Sequence, residues 1–243
     1  MSVQTYFVTG TDTGVGKTFV TCGLIWYLRD QGLSVGALKP VETGCQEHRG
    51  ALLANDASLL SDAIKYSGPI DDICPYRFRL PLSPEAAAGS EGVRIDLNRI
   101  LDARARMGEG KKVVMVEGAG GLLVPLTDKL NTADLISRLK AKVILVVASK
   151  IGCINHTLLT LEALDRRGIK TAGIILNRVS AADPAADPSL ETNLEDVRRR
   201  TKIPVLGEIP HLSGDLGAYR RQHYLETVRK ALDESALKRI FGL

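Results

Sequence analysis

A glycine-rich stretch near the start of the chain carries a lysine and a threonine at a spacing close to that of a phosphate-binding loop. It is FVTGTDTGVGKTFV, residues 7–20, and it contains Gly16, Lys17 and Thr18 in succession. The usual pattern is Gly-x-x-x-x-Gly-Lys-Ser/Thr, and this chain has one more residue after Gly10. Glycines let backbone N–H groups surround phosphate oxygens, the lysine reaches the outer phosphates, and the hydroxyl binds Mg²⁺. The stretch therefore predicts nucleotide binding.

Three more charged residues stand where predicted strands end or a helix begins. Glu117 ends the apolar run VVMVEG, Lys39 ends SVGALKP, and Asp56 opens a predicted helix. Oxygen atoms are the ligands that Mg²⁺ prefers, so Glu117 and Asp56 could join Thr18. Asp56 could equally serve only its helix N-terminus. A second lysine near phosphates suggests that Lys39 stabilises developing negative charge, and the alternative is a strand-end lysine in solvent.

Other polar or glycine-rich segments follow the remaining predicted strands. Thr43 and Gly44 offer a hydroxyl and a close approach of the backbone, and residues 118–121 present bare backbone to a substrate. GCINHTLLT begins a predicted helix with Asn155 as its N-cap. Free N–H groups at that helix start would form an anion site for a carboxylate. His156 lies nearby, but a lone histidine at a helix start is more often structural.

Apolar strand-like runs alternate with helical patterns along nearly the whole chain. Runs such as KVILVVAS are typical of strands buried on both faces, and helices of about 10–15 residues separate them. The pattern predicts a doubly wound α/β fold, with a mainly parallel sheet and helices on both faces, as a single domain over residues 1–243. In such sheets ligands bind beyond the carboxyl ends of the strands.

Local patterns predict the bounds of several elements. Helices are expected over residues 17–30 and about 55–66, and a closing helix places Leu225, Val228 and Leu232 on one face. For the rest of residues 40–95, the sequence predicts a Pro-rich stretch without a further helix. SAADPAADPS, residues 180–189, is typical of a surface loop. Long loops in a compact domain are usually functional or mobile.

Composition excludes several classes of function. The net charge of +4 and 5% aromatic content, without a basic run interleaved with aromatics, argue against nucleic-acid binding. No apolar run has the length of a membrane span and no signal peptide is indicated, so we expect a cytoplasmic protein without a membrane partner. The four cysteines are widely scattered, which argues against a zinc or redox site.

Five motifs in order resemble the dethiobiotin synthetase family over nearly the full length: VTGTDTGVGKT, KPVETG, ND before a helix, VEGAGGLLVPL and GCINHTLLT. The first motif alone would mark only the P-loop NTPase superfamily. The resemblance implies that the chain makes dethiobiotin from 7,8-diaminononanoate, CO₂ and MgATP, in biotin biosynthesis. A substrate carbamate would take the γ-phosphoryl group, and the second amine would attack the mixed anhydride to close a cyclic urea.

The resemblance also implies roles by position. Lys17 and Lys39 would be catalytic, and Thr18, Asp56 and Glu117 would hold Mg²⁺. The nucleotide would contact Gly14, Val15, Gly16, Lys17, Thr18, Phe19, Asp56, Glu117, Gly118, Ala119, Gly120, Asn177, Arg178, Pro210, His211 and Leu212. The substrate would contact Thr13, Thr43 and Gly120, and its carboxylate would bind Gly152, Cys153, Ile154 and Asn155 of the other subunit in a homodimer.

Two other functions fit a nucleotide-binding domain. An ATP-dependent amidating synthetase acting on a corrin ring would carry an extra glutaminase domain, for which 243 residues leave no room. A partition or positioning ATPase typically has a second lysine inside the phosphate loop. Residues 11–15, TDTGV, contain none, and the C-terminal segment mixes acidic and basic residues instead of being uniformly basic.

Overall fold

The computed structural model of the chain describes residues 3–181, 186–212 and 221–243, with the backbone alone for 221–223. Its strands are β1 Gln4–Gly10, β2 Val35–Leu38, β3 Val41–Thr43, β4 Gln46–His48, β5 Ala51–Leu53, β6 Tyr76–Phe78, β7 Val113–Gly121, β8 Lys142–Ala148, β9 Thr171–Asn177 and β10 Val205–Ile209. Its helices are α1 Lys17–Asp30, α2 Asn55–Ile64, α3 Ile70–Ile73, α4 Pro84–Ser90, α5 Leu97–Gly108, α6 Thr132–Arg138, α7 Cys153–Asp165, α8 Asn193–Arg200, α9 Arg221–Ala231 and α10 Glu234–Phe241.

A parallel sheet in the order β10-β9-β8-β1-β7-β2 forms the centre of the described structure. β1 lies between β7 and β8, which come from a distant part of the chain, whereas β8, β9 and β10 are consecutive strands connected by α7 and α8. The fold is therefore doubly wound α/β, as the alternating sequence pattern predicts. The loops that follow β1, β2 and β7 leave the sheet at one edge, and these loops carry the residues with predicted chemistry.

Both faces of the sheet are buried, which explains the continuous apolar runs. Along β1, Tyr6 and Val8 face one core cluster and Phe7 faces the other. Along β8, Ile144 and Val146 share the first cluster, whereas Val143, Leu145 and Val147 belong to the second cluster. Successive side chains of a strand point to opposite faces, so a strand covered by helices on both sides needs apolar residues at every position.

The prediction for residues 40–95 is wrong beyond its first helix. That helix, predicted to about residue 66, ends at Ile64, and Lys65 takes a left-handed conformation after it. The remainder contains α3, α4 and two small sheets, in which β3 pairs with β6 and β4 with β5. These elements are only three to seven residues long. Periodicity cannot reveal elements of this length, and the pairing of β3 with β6 also joins segments that are distant in the chain.

The closing helix is also different from its prediction, because it consists of α9 and α10. The break falls at Asp233, whose backbone N–H donates to Leu206 at 2.7 Å and whose carboxylate caps α10 by accepting from the Ala236 N–H at 3.0 Å. The predicted apolar face is confirmed, since Leu225, Val228 and Leu232 are buried. Of the predicted loop over residues 180–189, positions 182–185 lie outside the described residues, and Pro188–Glu191 form a 3-10 turn.

No helix within the described ranges combines the length and the hydropathy that crossing a lipid bilayer requires.

Candidate active site

The loop between β1 and α1 presents the first turn of α1 to an incoming ligand. Gly16 stands at the N-cap with φ of 88°, and no side chain caps the first N–H groups of the helix. A side chain at this position would have to adopt a left-handed backbone and would overlap the amide of Asn177. The free N–H groups and the positive end of the helix dipole make this turn an anion site. Its geometry fits a phosphate group.

Lys17 lies over this loop with little exposure to solvent. Its Nζ donates to the backbone oxygen of Asp12 at 2.9 Å, and the residue is 7% exposed. Within the described residues, its ammonium forms no ion pair with a carboxylate. A buried lysine that lacks a carboxylate partner favours an anionic ligand as its counter-charge.

Lys39 is buried between two carboxylates, which excludes the strand-end lysine in solvent. Its Nζ donates to Glu117 Oε1 at 2.5 Å and to Asp56 Oδ2 at 2.6 Å. Thr18 Oγ1 donates to the same Glu117 oxygen at 2.7 Å. The phosphate loop, the end of β2, β7 and the start of α2 thus meet in one cluster of charged and hydroxyl groups.

The register of the sheet explains why Lys39 meets Glu117. Leu38 at the end of β2 pairs with Val116 on β7, so the residue that follows each of them lies at the same level. On the other side of β7, Val8 of β1 pairs with Glu117, and the phosphate loop begins two residues later. Neighbouring parallel strands lie about 4.8 Å apart, which side chains can easily span.

Charge in this cluster shifts the pKa values of its members. Burial alone would lower the pKa of Lys39, but the carboxylates of Glu117 and Asp56 outweigh burial and raise it above its usual range. Burial likewise acts to raise the pKa of Asp56, and the charge of Lys39 outweighs it and lowers that pKa. Lys39 therefore stays a cation, and Asp56 stays a carboxylate, at neutral pH.

The chemistry of the cluster fits Mg²⁺. Thr18 offers a hydroxyl, and Asp56 and Glu117 offer carboxylate oxygens, which are the donors that this hard cation prefers. Glu117 Oε2 is buried and has no hydrogen-bond partner, so one carboxylate oxygen beside the phosphate loop is free to bind a cation. In the described ranges, no group of three or more His, Cys, Asp and Glu side chains is arranged to hold a metal. A cation here would share two carboxylates with Lys39 and take remaining ligands from phosphate and water.

A cavity of about 310 Å³ gathers most of the predicted site at the carboxyl edge of the sheet. Two features distinguish it: both lysines face it, and glycine backbone forms part of its wall. Its lining residues are Thr13, Gly14, Gly16, Lys17, Thr18, Lys39, Glu42, Thr43, Asp56, Glu117, Gly118, Ala119 and Gly120. Glu42 is not among the residues predicted from the sequence, although its position in KPVETG, between Lys39 and the start of α2, is a usable signal.

A second cavity, of about 210 Å³, adjoins the phosphate loop and contains the predicted base-side residues. Its lining residues are Gly14, Gly16, Phe19, Asn177, Arg178, Val179, Pro210, His211 and Leu212. The amide of Asn177 donates to the backbone oxygen of Val15 at 3.0 Å, which joins the end of β9 to the phosphate loop. Arg178 is held by Glu208, at 2.7 Å, and by the backbone oxygen of Leu190. Glu208 is not among the residues predicted from the sequence.

The start of α7 lies apart from both cavities. Gly152 is its N-cap, with φ of 88°, so the prediction of Asn155 as the N-cap is wrong. Asn155 and His156 are exposed and belong to the first turn, and Cys153 is buried. None of residues 152–155 lines the two cavities described above. Their predicted contact with substrate therefore requires a second subunit and stays a prediction.

Nucleotide binding is expected to weaken as pH rises through about 8. Burial of the Lys17 ammonium, with repulsion from Lys39, lowers the pKa of Lys17 to about 8 in the free protein. A triphosphate on this lysine favours the charged form, so binding above that pH must take up a proton. Calorimetry in two buffers of different ionisation enthalpy, one unit below and one unit above that pH, measures the uptake. Affinity and proton uptake that do not change with pH would contradict the assignment.

Comparison with known proteins identifies the family. A family model described as an AAA domain matches residues 4–215. An ATP-dependent dethiobiotin synthetase BioD from Aromatoleum aromaticum is 44% identical over 87% of this chain and 92% of its own length. A protein of the same name from Anaeromyxobacter dehalogenans is 44% identical over 84% of this chain and 88% of its own length.

Among solved structures, the MinC:MinD cell division protein complex of Aquifex aeolicus contains a similar fold. The TM-score is 0.53 at 15% identity, with 94% of this chain and 95% of that chain covered. At this identity the likeness concerns the fold alone. The two dethiobiotin synthetases match most of this chain and most of their own length at far higher identity. The phosphate loop before α1 agrees with the ATP dependence in their names. The chain belongs to the ATP-dependent dethiobiotin synthetase family.

Proposed function

We propose that this chain closes a cyclic urea on 7,8-diaminononanoate with CO₂ and ATP, giving dethiobiotin, ADP and phosphate in biotin biosynthesis. The observation that carries the proposal is the second buried lysine. Lys39 is held by Asp56 and Glu117 and lines the same cavity as Lys17. A phosphate loop that only bound nucleotide would need one lysine, whereas two cations suit a reaction in which a phosphoryl group moves between anions.

The proposed reaction has three steps. One amine of the substrate attacks CO₂ and loses a proton, which forms a carbamate. A carbamate oxygen then attacks the γ-phosphorus of ATP, and the bond to the β-phosphate oxygen breaks, so that ADP leaves. The second amine attacks the carbonyl carbon of the mixed anhydride, the bond from that carbon to the phosphate oxygen breaks, and phosphate and a proton are released with the cyclic urea.

Most residues of the main cavity have a proposed role in these steps. The first turn of α1 and Lys17 bind and orient the phosphates, and Lys39 lies against the carbamate and the transferring phosphoryl group. Thr18, Asp56 and Glu117 would hold Mg²⁺, which supplies positive charge to the phosphate oxygens when bound. Thr13 and Thr43 offer hydroxyls to the diamine or the carbamate, and the backbone of residues 118–120 lies beside them.

We propose the second cavity as the place of the adenine base. Asn177 and residues 210–212 line it, next to the phosphate loop glycines that both cavities share. Phe19 provides an apolar face, and Arg178 is fixed by Glu208 so that its guanidinium is already paired. We also propose that residues 1–243 act as one nucleotide-binding unit in the cytoplasm.

The function is tested by phosphate release from MgATP and bicarbonate, with and without 7,8-diaminononanoate. We expect release that depends on the diamine, with an equal amount of the cyclic urea detected by mass spectrometry. Omission of bicarbonate after removal of dissolved CO₂ is the matched control. Release that is indifferent to the diamine would overturn the proposed reaction and leave a nucleotide-hydrolysing protein.

We further propose a homodimer in which α7 of one subunit binds the substrate carboxylate in the cavity of the other. Residues 152–155 start a helix away from the cavities, which supports a role across an interface. Ile151, just before α7, is 77% exposed, and Leu159 on α7 and Leu123, which line a common cavity, are 56% and 52% exposed. Such side chains are typical of surfaces that pack against another protein.

Mixed dimers test this arrangement. In Asn155→Asp, a carboxylate in the first turn of α7 suits the helix dipole but repels the substrate carboxylate, so we expect a higher KM for the diamine. Neither Asn155→Asp nor Lys39→Ala alone should turn over at low diamine concentration. In an equal mixture about half of the dimers are hybrids, and each hybrid has one site of two without a substitution. The mixture should therefore recover about a quarter of wild-type turnover. Proven hybrids without recovered turnover would exclude a shared site.

A further inference from the structure

Glu42 is a buried carboxylate in the main cavity to which the proposed reaction gives no role. It lies on β3 and is 7% exposed. It lines the cavity together with Lys39 and Thr43, which are close to it in the sequence. A carboxylate in such a position costs free energy unless hydrogen bonds or a cation compensate it. The hydrogen-bond partners of its two oxygens therefore indicate the role of the residue.

Both oxygens of Glu42 accept hydrogen bonds from the first turn of α2. Oε1 accepts from the Asp56 N–H at 2.9 Å, and Oε2 accepts from the Ala57 N–H at 2.9 Å. Helix α2 needs this cap, because Ala54 at its N-cap position has no side chain that could accept a bond. A residue on another element thus replaces the local N-cap, and its negative charge faces the positive end of the helix.

The helix turn that Glu42 holds is the one that carries Asp56. The Asp56 carboxylate pairs with Lys39, and its side chain is 38% exposed, so solvent surrounds part of it. Fraying of the first turn would let this carboxylate move away from Lys39 and Glu117. The two bonds from Glu42 fix the backbone of Asp56 at the point where its side chain enters the cluster.

We propose that Glu42 is a positioning residue, which caps α2 and thereby holds the Asp56 carboxylate against Lys39 and within reach of the nucleotide-bound cation. The inference rests on the proposed function of the site. The alternative is that Glu42 contacts the substrate directly, because its carboxylate has further lone pairs that could accept a hydrogen bond from an amine. The two roles predict different kinetics.

The main variant is Glu42→Gln, which keeps the shape of the side chain. The glutamine oxygen can accept from one N–H, but its NH₂ group meets the other N–H as donor against donor. We expect kcat to fall roughly tenfold, as for loss of a helix cap in the site, while KM for the diamine changes little. A rise in KM at unchanged kcat would show that Glu42 contacts the substrate and would overturn the proposal.

A double-mutant cycle with Asp56→Asn tests whether Glu42 acts through Asp56. If it does, Glu42→Gln should have little further effect on kcat once Asp56 has lost its charge. Additive losses would overturn the proposal. Asp96→Ala is the matched control, because Asp96 caps α5 by accepting from the Asn98 N–H at 2.9 Å, outside the cavity. We expect it to lower the melting temperature as Glu42→Gln does and to leave kcat unchanged.

Amide hydrogen exchange gives a readout that needs neither metal nor turnover. In the free protein, the Asp56 and Ala57 amides should be protected, and Glu42→Gln should remove that protection while the amides in the middle of α1 stay protected. Equal protection in both proteins would overturn the cap. If wild-type protein shows no diamine-dependent turnover, the proposed function fails. Loss of protection in the variant would still support the cap, so the two failures are distinguishable.

Discussion

Lys39→Ala is expected to abolish turnover and to leave nucleotide binding largely intact. The reason is that Lys39 pairs with Asp56 and Glu117, whereas the proposed contacts of the nucleotide are the phosphate loop and Lys17, which do not involve Lys39. Loss of a donor that stabilises transition-state charge typically costs about 100- to 1000-fold in kcat, and we expect at least that. Single-turnover phosphate release and calorimetric titration of nucleotide on the same preparation separate the two effects.

The same substitution should also destabilise the free protein. Glu117 is fully buried, so removal of Lys39 leaves its carboxylate without its ion-pair partner. Breaking a buried ion pair in this way costs about 3–5 kcal/mol. Lys142→Ala is the matched control, since Lys142 is a half-buried lysine at the opposite edge of the sheet that donates to Gln4. Near-normal turnover of Lys39→Ala would exclude the assigned role.

Lys17→Ala is expected to lose both nucleotide binding and turnover. Its Nζ is fixed over the phosphate loop by the backbone oxygen of Asp12, so its charge is already placed when the nucleotide arrives. The lysine is 7% exposed, and in such surroundings an ionic hydrogen bond to phosphate is stronger than in water. We expect the dissociation constant for nucleotide to rise by at least about tenfold, and kcat to fall as well.

Comparison of the two lysine variants is itself a control. Both substitutions remove one positive charge from the same cavity, so a general effect of cavity charge would affect nucleotide binding equally in both variants. The structure instead predicts a large change in affinity for Lys17→Ala and a small one for Lys39→Ala. Titration of both proteins with a nucleotide analogue that cannot be hydrolysed measures this difference. Equal losses of affinity would contradict the separate roles.

Most of the architecture could be predicted from local sequence patterns. The runs that form β1, β7, β8 and β9 are apolar at consecutive positions, because helices cover both faces of the sheet. The phosphate loop is a local motif whose glycines and lysine act within one turn. The doubly wound fold and the nucleotide-binding loop therefore follow from residues that are neighbours in the chain.

Other features could not be read from neighbours. The split between α9 and α10 depends on a backbone bond from Asp233 to Leu206, and the short elements after residue 40 depend on pairing of β3 with β6. The assignment of Asn155 as N-cap failed for a different reason: Gly152, with its left-handed backbone, begins the helix earlier. In the pairing of β3 with β6 and in the break at Asp233, hydrogen bonds between distant segments outweigh local preference.

The sequence by itself determined the family, the alternation of the main-sheet strands with helices, and the types of residue that reach the carboxyl edge of the sheet. Only the tertiary structure decided the protonation states and the interaction partners of these residues. Lys39 meets Asp56 across 17 positions and Glu117 across 78, and Glu42 meets α2 across 14. An ion pair or a cap between distant residues forms only when the sheet register and helix packing bring them together, and burial then decides its strength.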